Sequence, residues 1–315
     1  MSNMIPIGEV YKFKSEIEEE LTPNFHSAIM SSLGEPSLTR FGDANYVFTV
    51  TCFTDPLRLF VENVIKSLGK PGTTPFPLIR GFGFGKTHSL ILLWHVFTSD
   101  AEIQDEQLRK VIAENRDIIK QTFVLACDVS FRDSPFKSFI ETLFGSAKME
   151  KDPDLVRVLA DLEDRYDKKD LLSPTKLVDF LLDFLNESKR RFRKIPRFLV
   201  LIDELGYGTI KRVDEYIDSK NEDLIEDIRR LISFITTIAE ELKNAGSSLA
   251  IIYAFAEQDL KSLNARIRIH YSNEDLRTKL EGLKDLIETD LIERLMRHSG
   301  GIDRSVLHLN TIQNI

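Results

Sequence analysis

A glycine-rich run with a lysine and a threonine at its end occupies residues 80–88. Closely spaced glycines let the backbone turn its N–H groups inward, and such a nest at the start of a helix binds phosphate. The run fits the second half of the Walker A pattern, G-x-x-x-x-G-K-[ST], but has Arg80 where the first glycine is expected. In that pattern the lysine, here Lys86, reaches the β- and γ-phosphates, and the hydroxyl of Thr87 binds Mg²⁺.

This run therefore predicts a nucleotide-binding loop. Its predicted contacts with the nucleotide are Gly81, Phe82, Gly83, Phe84, Gly85, Lys86, Thr87 and His88. The run follows a short apolar segment, 76–79, and opens an apolar helix, which is the context that phosphate binding requires. His88 either touches a phosphate or, as we favour, caps locally. The alternative for the whole run is a glycine-rich turn that contains Lys-Thr by chance.

Two carboxylates, Asp203 and Glu204, follow the apolar run 198–202. Ligands of open parallel sheets bind at the carboxyl ends of the strands, and consecutive strand residues point in opposite directions. We therefore expect Asp203 to face Mg²⁺ and Glu204 to orient or deprotonate the attacking water, with Glu204 and Lys86 as the catalytic residues. The alternative is an ordinary acidic turn at the end of a strand.

A sensor for the γ-phosphate and a positive group for the transition state would complete such a site. The strand 249–255 is expected beside the strand that carries the glycine-rich run, which makes Tyr253 or Gln258 the candidate sensor. The favoured interpretation makes Tyr253 a core residue and Gln258 the start of a helix. The candidate arginines, most of them expected on solvated helix faces, are Arg229, Arg230, Arg266, Arg268, Arg294 and Arg297.

Strands and helices are predicted to alternate along the chain. Strands are expected at 46–53, 123–129, 198–202 and 248–255, and helices at 55–68, 87–97, 136–144, 175–192, 224–244 and 258–298, with a loop at 69–77. Apolar strands without polar alternation indicate a sheet covered on both faces, and the alternation indicates parallel strands. The predicted fold is an α/β P-loop NTPase, a parallel sheet with helices on both faces. Its predicted parts are an N-terminal segment, 1–40, an ATPase core, 41–258, and a small helical region, 259–315, as a partial lid.

The composition limits the functions to consider. Of the 315 residues, 42% are hydrophobic and 29% are charged, with a net charge of -8, which argues against wholesale nucleic-acid binding.

The only dense basic cluster, 189–194, is expected to complement a helix C-terminus, with nucleic-acid contact as the alternative. Cys52 and Cys127 are expected to be buried free thiols. The chain has no apolar run of about 20 residues and no signal-peptide pattern, so a cytoplasmic location is expected.

Several of these segments together resemble a known family. They are Phe84 to His88, Leu93 to His95, Leu201 to Leu205 with Tyr207, and the lead-in 45–54. They resemble the large AAA+-like ATPases of a domain of unknown function in archaea and bacteria, some of which belong to bacteriophage-exclusion (BREX) defence systems. The resemblance covers about residues 40–260. It implies AAA+ roles for Lys86, Thr87, Asp203 and Glu204, and a link to anti-phage defence. Such relatives are usually longer, so we expect an N-terminal ATPase module or a compact version.

Three functions agree with this pattern. The first is ATP hydrolysis with Mg²⁺ that drives a conformational change or remodelling. The others are a nucleotide-gated scaffold with little turnover and a nucleic-acid-stimulated motor. A kinase fits less well, because Glu204 beside Asp203 suits activation of water. Expected partners are the nucleotide, other copies of the chain in a ring or dimer, and further proteins; a monomer remains an alternative, nucleic acid is left open, and no membrane contact is expected.

Overall fold

A single parallel sheet forms the centre of the structure, a computed structural model that describes residues 23–35, 39–79, 85–131, 134–149, 151–255 and 257–288. Its strands are β1 (Gly72–Ile79), β2 (Thr122–Asp128), β3 (Arg197–Asp203) and β4 (Ser248–Phe255). Across the sheet they lie in the order β1–β4–β3–β2. Because all four run the same way, the residues that follow each strand meet at one edge.

Helices cover both faces of this sheet, as the apolar strands predicted. The first face carries α1 (Phe25–Ser32), α2 (Ala44–Val50), α3 (Asp55–Leu68), α4 (Lys86–Thr98), α5 (Glu106–Glu114) and α6 (Arg116–Lys120). The second carries α7 (Pro135–Ala147), α8 (Pro153–Glu163), α9 (Pro174–Phe192), α10 (Leu205–Ser219), α11 (Asp223–Asn244), α12 (Glu257–Ile269) and α13 (Glu274–Asp285). Short 3₁₀ turns lie at Arg40–Gly42 and Asp170–Leu172.

Alternate residues of β3 separate the two halves of the core. Leu199 and Leu201 pack with the helices of the first face, whereas Val200 and Ile202 pack with those of the second. By the same alternation Asp203 points to the first face, on which α4 lies. No helix within the described residues is both long and apolar enough to cross a membrane.

The segment 46–53 was predicted as a strand, and this prediction is wrong. It belongs largely to α2, which begins after Asp43, whose side chain accepts a hydrogen bond of 2.9 Å from the Asn45 amide. Val47 and Phe48 are buried against the first-face core. β-Propensity reflects a fit to a half-buried surface, and here the packing of one helix face overrides it. Cys52, just after this helix, is exposed rather than buried, whereas Cys127 is buried; both are free thiols.

The loop predicted at 69–77 is also wrong, because β1 begins at Gly72. The prolines at Pro75 and Pro77 argued against a strand. The Gly72 amide donates to the carbonyl of Ser247, on the β4 side, so Pro75 and Pro77 turn their nitrogens to the other side. Among the described strands β1 is at the edge of the sheet, where proline is tolerated.

The other predicted elements are confirmed within the described residues. They are α3, α4, α7, α9 and α11, and the strands β2, β3 and β4. The single helix predicted at 258–298 is divided into α12 and α13 by a turn at 270–273, and residues 289–298 lie outside the described residues. The end of α11 is as expected, since Gly246 has a φ of 73° and follows its last turn. The sequence did not predict α1, α5, α6, α8 or α10. The division of the chain at residue 258 stays a prediction.

Candidate functional site

The carboxyl edge of the sheet brings together residues from distant parts of the chain. Asp128 and Asp203 end the neighbouring strands β2 and β3, where they pair in register, and both are buried. Thr87, in the first turn of α4, lines the same cavity as Asp128, Asp203 and Glu204. The Glu204 amide donates a hydrogen bond of 2.9 Å to Asp203 Oδ1. The threonine and the carboxylates that the sequence singled out therefore lie at one cavity.

The start of α4 has the geometry of an anion site. Gly85 precedes the helix with a φ of 70°, in the left-handed region that favours glycine, and no side chain of the described residues caps the helix there. The first N–H groups of an α-helix have no partner within the helix, and together with its dipole they attract anions. The predicted contacts Gly81, Phe82, Gly83 and Phe84 lie outside the described residues.

Lys86 faces a negatively charged environment. Burial lowers the pKa of Lys86 below its ordinary value, whereas the charges of Glu204, Asp203 and Asp259 raise it, in that order. The lysine is half-buried and is held near these three carboxylates from β3, its following turn and α12. It is therefore placed to bind an anion that approaches the start of α4.

The carboxylates of this edge repel one another. Burial, followed by the charge of Asp128, raises the pKa of Asp203 to about 7, and the hydrogen bond from Thr87 acts in the opposite direction. Burial also raises the pKa of Glu204, Asp128 adds to the effect, and Lys86 opposes it. A cation bound at Asp203 would offset the free-energy cost of burying these carboxylates, because its positive charge stabilises their ionised forms.

The donor set fits Mg²⁺ better than a metal held by protein alone. The hydroxyl of Thr87 and the carboxylate of Asp203 are hard oxygen ligands at one cavity. Mg²⁺ commonly uses one or two protein oxygens and takes its other ligands from water and phosphate. Within the described residues no group of three or more His, Cys, Asp or Glu side chains is arranged to hold a metal ion.

A cavity of about 240 Å³ opens beside these groups. The residues that line it are Pro23, Asn24, Phe25, Thr87, Asp128, Ser130, Asp203, Glu204 and Tyr207. The hydroxyl and the amide of Ser130 donate to Asp128 Oδ1 at 2.6 and 2.9 Å, which orders the carboxylate. The cavity is thus lined by acidic residues at the strand ends, by residues 23–25 and by Tyr207.

Glu204 occupies this wall in an unusual backbone conformation. Its φ of 50° and ψ of 31° are left-handed, which for a non-glycine residue costs about 1–3 kcal/mol. The helix that follows, α10, packs closely against neighbouring residues at two glycines. A Cβ at Gly208 would lie 2.5 Å from the carbonyl carbon of Val129, and one at Gly206 would lie 2.1 Å from Asp259 Oδ2. These close approaches fix the start of α10 and with it the position of Glu204.

Comparison with known protein families identifies the family of this chain. The DUF499 N-terminal domain matches residues 9–290, which is most of the chain. The chain belongs to the DUF499 N-terminal domain family. This is a domain of unknown function, and the match neither supports nor opposes a P-loop ATPase or a BREX component. No curated protein and no solved structure matches the chain.

His88 of this DUF499 domain is held away from the cavity. Its Nε2 lies 2.8 Å from the hydroxyl oxygen of Thr51, and that hydroxyl donates its hydrogen to the Val47 carbonyl at 2.6 Å. Nε2 is therefore the donor and Thr51 the acceptor. Burial lowers the pKa of His88, so the ring is neutral at pH 7. The favoured interpretation, a local cap, is wrong, because the partner of His88 is Thr51, 37 residues away, and no side chain of the described residues caps the start of α4. His88 does not line the cavity.

The candidate sensors lie where the favoured interpretation placed them. Tyr253 is a core residue whose hydroxyl has no hydrogen-bond partner, and burial raises its pKa. Gln258 lies in the first turn of α12. Neither side chain lines the cavity. β4 lies next to β1, the strand that precedes the glycine-rich run, as predicted for the strand 249–255.

The candidate arginines of the described residues are engaged elsewhere or exposed. Arg266 makes a two-point ion pair with Asp214, and Arg230 pairs with Glu226 on its own helix. Arg229 reaches the Lys279 carbonyl, and Arg268 is exposed in the last turn of α12. None of these four lines the cavity. Arg294 and Arg297 lie outside the described residues.

The basic cluster 189–194 lies at the end of α9, just before β3, and thus at the opposite edge of the sheet from the cavity. Carboxylates neutralise several of its charges. The pairs are Arg190 with Glu187, Arg191 with Asp161, and Lys194 with Asp152 and Asp154. Lys189 donates to the carbonyl of Ala245. These contacts favour the expected structural role over nucleic-acid binding.

Two carboxylates of the site were missed by sequence reasoning. Asp128 had a readable signal, because it follows the apolar run 123–127 just as Asp203 follows 198–202. Asp259 had no such signal, since it stands in a charged helical segment and reaches the site only through the packing of α12 on α10. Both are buried, with 6% and 7% of their surface exposed.

The raised pKa of Asp203 predicts how stability depends on pH. Its ordinary value is 3.8 and its folded value is about 7. Between these values the folded protein binds more protons than the unfolded one, so the free energy of unfolding falls as pH rises through this window. Asp203→Asn removes the effect, and the variant should gain stability relative to the unsubstituted protein by on the order of 3 kcal/mol from pH 5 to pH 8.

Urea unfolding without nucleotide or Mg²⁺, at both pH values, measures this gain. Asp218→Asn, at an exposed position of α10, is the control, and its relative stability should stay constant. The same relative stability for Asp203→Asn at pH 5 and pH 8 would contradict the expected cost of the buried charge.

Proposed function

We propose that this DUF499 domain binds ATP with Mg²⁺ and hydrolyses it, using the edge that holds Lys86, Thr87, Asp203 and Glu204. The observation that carries the proposal is the single cavity that Thr87, Asp203 and Glu204 line, with Lys86 in the same first turn of α4 as Thr87. Magnesium nucleotides need one cation for phosphate oxygens, one hydroxyl and one carboxylate for the metal, and a base for water.

Each residue has a task in this reaction. Lys86 and the first N–H groups of α4, with the loop residues 81–85, bind the phosphate chain. Thr87 and Asp203 would hold Mg²⁺, which would neutralise charge that develops on the phosphate oxygens. Glu204 accepts the proton of the attacking water, and burial helps because the raised pKa makes its carboxylate a stronger base. The cavity beside Asp203 and Glu204 has room for that water.

The finer fold assignment, an AAA+/ASCE-like P-loop domain, is part of this proposal. It is supported by the parallel sheet and by the placement of β4 next to β1 and β3. Hydrolysis then drives a conformational change or remodelling. Contacts that join α10, which begins after Glu204, to α12 and α13 support such a coupling: Arg266 pairs with Asp214, and Lys279 contacts Tyr216 and Glu222. The resemblance to BREX components supports a cytoplasmic, anti-phage role with protein partners and self-association in a ring or dimer.

Titration with ATP, with and without Mg²⁺, tests the binding step, and the size of the particle is measured on the same samples. We expect ATP to bind and Mg²⁺ to increase the affinity about tenfold or more, because the cation would be bound both by the phosphate oxygens and by Asp203. Absence of ATP binding under both conditions would overturn the proposal. Binding without any turnover would favour a nucleotide-gated scaffold over an ATPase.

A further inference from the structure

Arg212 is a buried arginine to which the proposed reaction gives no task. It lies in α10, the helix that begins directly after Glu204, and 5% of its surface is exposed. Its Nη2 donates a hydrogen bond of 2.9 Å to the Phe131 carbonyl, and its Nε donates one of 3.5 Å to the Val129 carbonyl. The guanidinium thus contacts the backbone of residues 129–131, the segment that follows β2.

Two further residues of α10 contact the same segment. Lys211 donates a hydrogen bond of 2.8 Å from Nζ to the Ser130 carbonyl. Gly208 packs directly on the segment, because a Cβ at this position would lie 2.6 Å from the Val129 oxygen and 2.8 Å from the Ser130 nitrogen. These residues are three and four positions apart, so one face of α10 holds the whole segment.

The segment also forms part of the cavity at which hydrolysis is proposed. Ser130 lines this cavity, and its amide and hydroxyl donate to Asp128 Oδ1. The Val129 amide donates a hydrogen bond of 3.1 Å to the Asp203 carbonyl, which continues the pairing of β2 with β3. A shift of the segment would therefore move Ser130 and release the carboxylate of Asp128, and both residues line the cavity together with Glu204.

We infer that Arg212 is a positioning residue for ATP hydrolysis, which keeps the segment 129–131 at a fixed distance from Glu204 through the body of α10. This inference rests on the proposed function and concerns its chemical step, not the binding of the nucleotide. Arg212 lies about two turns beyond Glu204 on the same helix, so one rigid element positions both the proposed base and the segment. Displacement of a reacting group by about 1 Å can slow an enzymatic reaction about 100-fold.

The ion pair of Arg212 offers a purely structural explanation of its burial. Nη1 lies 3.3 Å from Asp227 Oδ2 on α11, and a buried ion pair affects stability without any part in a reaction. Asp227→Asn removes this pair and leaves both carbonyl contacts in place. Arg212→Met removes the pair and the carbonyl contacts, and keeps an unbranched side chain that packs well in a core. Comparison of the two variants separates the ion pair from the contacts with the segment.

The test is the rate of single-turnover ATP hydrolysis with Mg²⁺, expressed per bound nucleotide so that unfolded protein does not contribute. We expect Arg212→Met to lower this rate about 10- to 100-fold and to leave the affinity for ATPγS within about threefold. Asp227→Asn should keep the rate of the unsubstituted protein. A purely structural role of Arg212 would lower the amount of folded protein and leave the rate per bound nucleotide unchanged.

Gly208→Ala is a second variant, in which the guanidinium is intact. Its methyl group displaces the segment, because the atoms that it meets belong to the backbone. Alanine favours a helix more than glycine does, so α10 itself should not be weakened. We expect the rate per bound nucleotide to fall about 10- to 100-fold, as in Arg212→Met.

Amide hydrogen exchange without nucleotide gives a readout that does not depend on hydrolysis. The Ser130 amide is bonded to Asp128, so release of the segment would expose it to water. We expect this amide to exchange on the order of tenfold faster in Arg212→Met and in Gly208→Ala than in Asp227→Asn or in the unsubstituted protein.

The outcomes separate the two proposals. If the unsubstituted protein hydrolyses ATP, and Arg212→Met and Gly208→Ala do so at the same rate per bound nucleotide, the positioning inference is wrong and the proposed function stands. The same conclusion follows if Asp227→Asn slows the reaction as much as Arg212→Met, or if neither Arg212→Met nor Gly208→Ala changes the exchange of the Ser130 amide. If the unsubstituted protein does not hydrolyse ATP, the proposed hydrolysis is overturned and this inference with it.

Discussion

Lys86→Ala should lower the affinity for ATP with Mg²⁺ by about 100-fold or more, and turnover should be lost at every accessible ATP concentration. The reason is the place of the ammonium group, at the start of an uncapped helix and beside Asp203 and Glu204. Removing one member of a buried charge pair costs about 2–5 kcal/mol, of which every 1.4 kcal/mol is tenfold in affinity. Few other single changes remove as much binding energy from a phosphate chain.

The variant should remain folded, since Lys86 is only half-buried and its burial is unfavourable to its charge. Thermal unfolding without nucleotide checks this point. Lys243→Ala is the matched control, because Lys243 is exposed in the last turn of α11 and lies far from the cavity. An ATP affinity for Lys86→Ala within threefold of the control would remove this lysine from the site.

Glu204→Gln should bind ATP about as tightly as the unsubstituted protein, or more tightly, and hydrolyse it about 10²–10⁴ times more slowly. General base catalysis typically contributes a factor of this size. Binding should not suffer, because the amide removes a negative charge that repels phosphate while the side chain keeps its shape. The backbone strain at φ 50° is unchanged by the substitution, so the start of α10 should stay in place.

Single-turnover phosphate release with bound ATP measures the chemical step of Glu204→Gln directly. Glu241→Gln is its control, at an exposed position of α11. A variant that hydrolyses ATP at the normal rate but binds it weakly would show that Glu204 has a binding role, and the base would have to be sought among Asp128 and Asp259.

Sequence reasoning found the two halves of the site because each has a local signal. Lys86 and Thr87 stand at the start of an apolar helix, and Asp203 and Glu204 stand at the end of an apolar strand. Parallel strands then bring these ends to one edge, where Thr87, Asp203 and Glu204 line one cavity. The chemistry at that edge stays a prediction, because neither the geometry nor the family match tests it.

The wrong or missing predictions concern segments whose structure depends on contacts between elements distant in sequence. Val47 and Phe48 favour a strand by residue type, yet they form one buried face of a helix against the first-face core. Pro75 and Pro77 signal a loop unless it is known that β1 lies at an edge. Asp259 becomes visible only when α12 is packed against Gly206, a contact that no local pattern encodes.

The most direct test of the central claim is phosphate release from ATP in the presence of Mg²⁺, measured on the unsubstituted protein and on the Lys86→Ala and Glu204→Gln variants. The account predicts turnover that depends on Mg²⁺, that is lost in both variants, and that persists in the Lys243→Ala and Glu241→Gln controls. Turnover that both site variants retain would contradict it, because these residues would then not form one hydrolytic site.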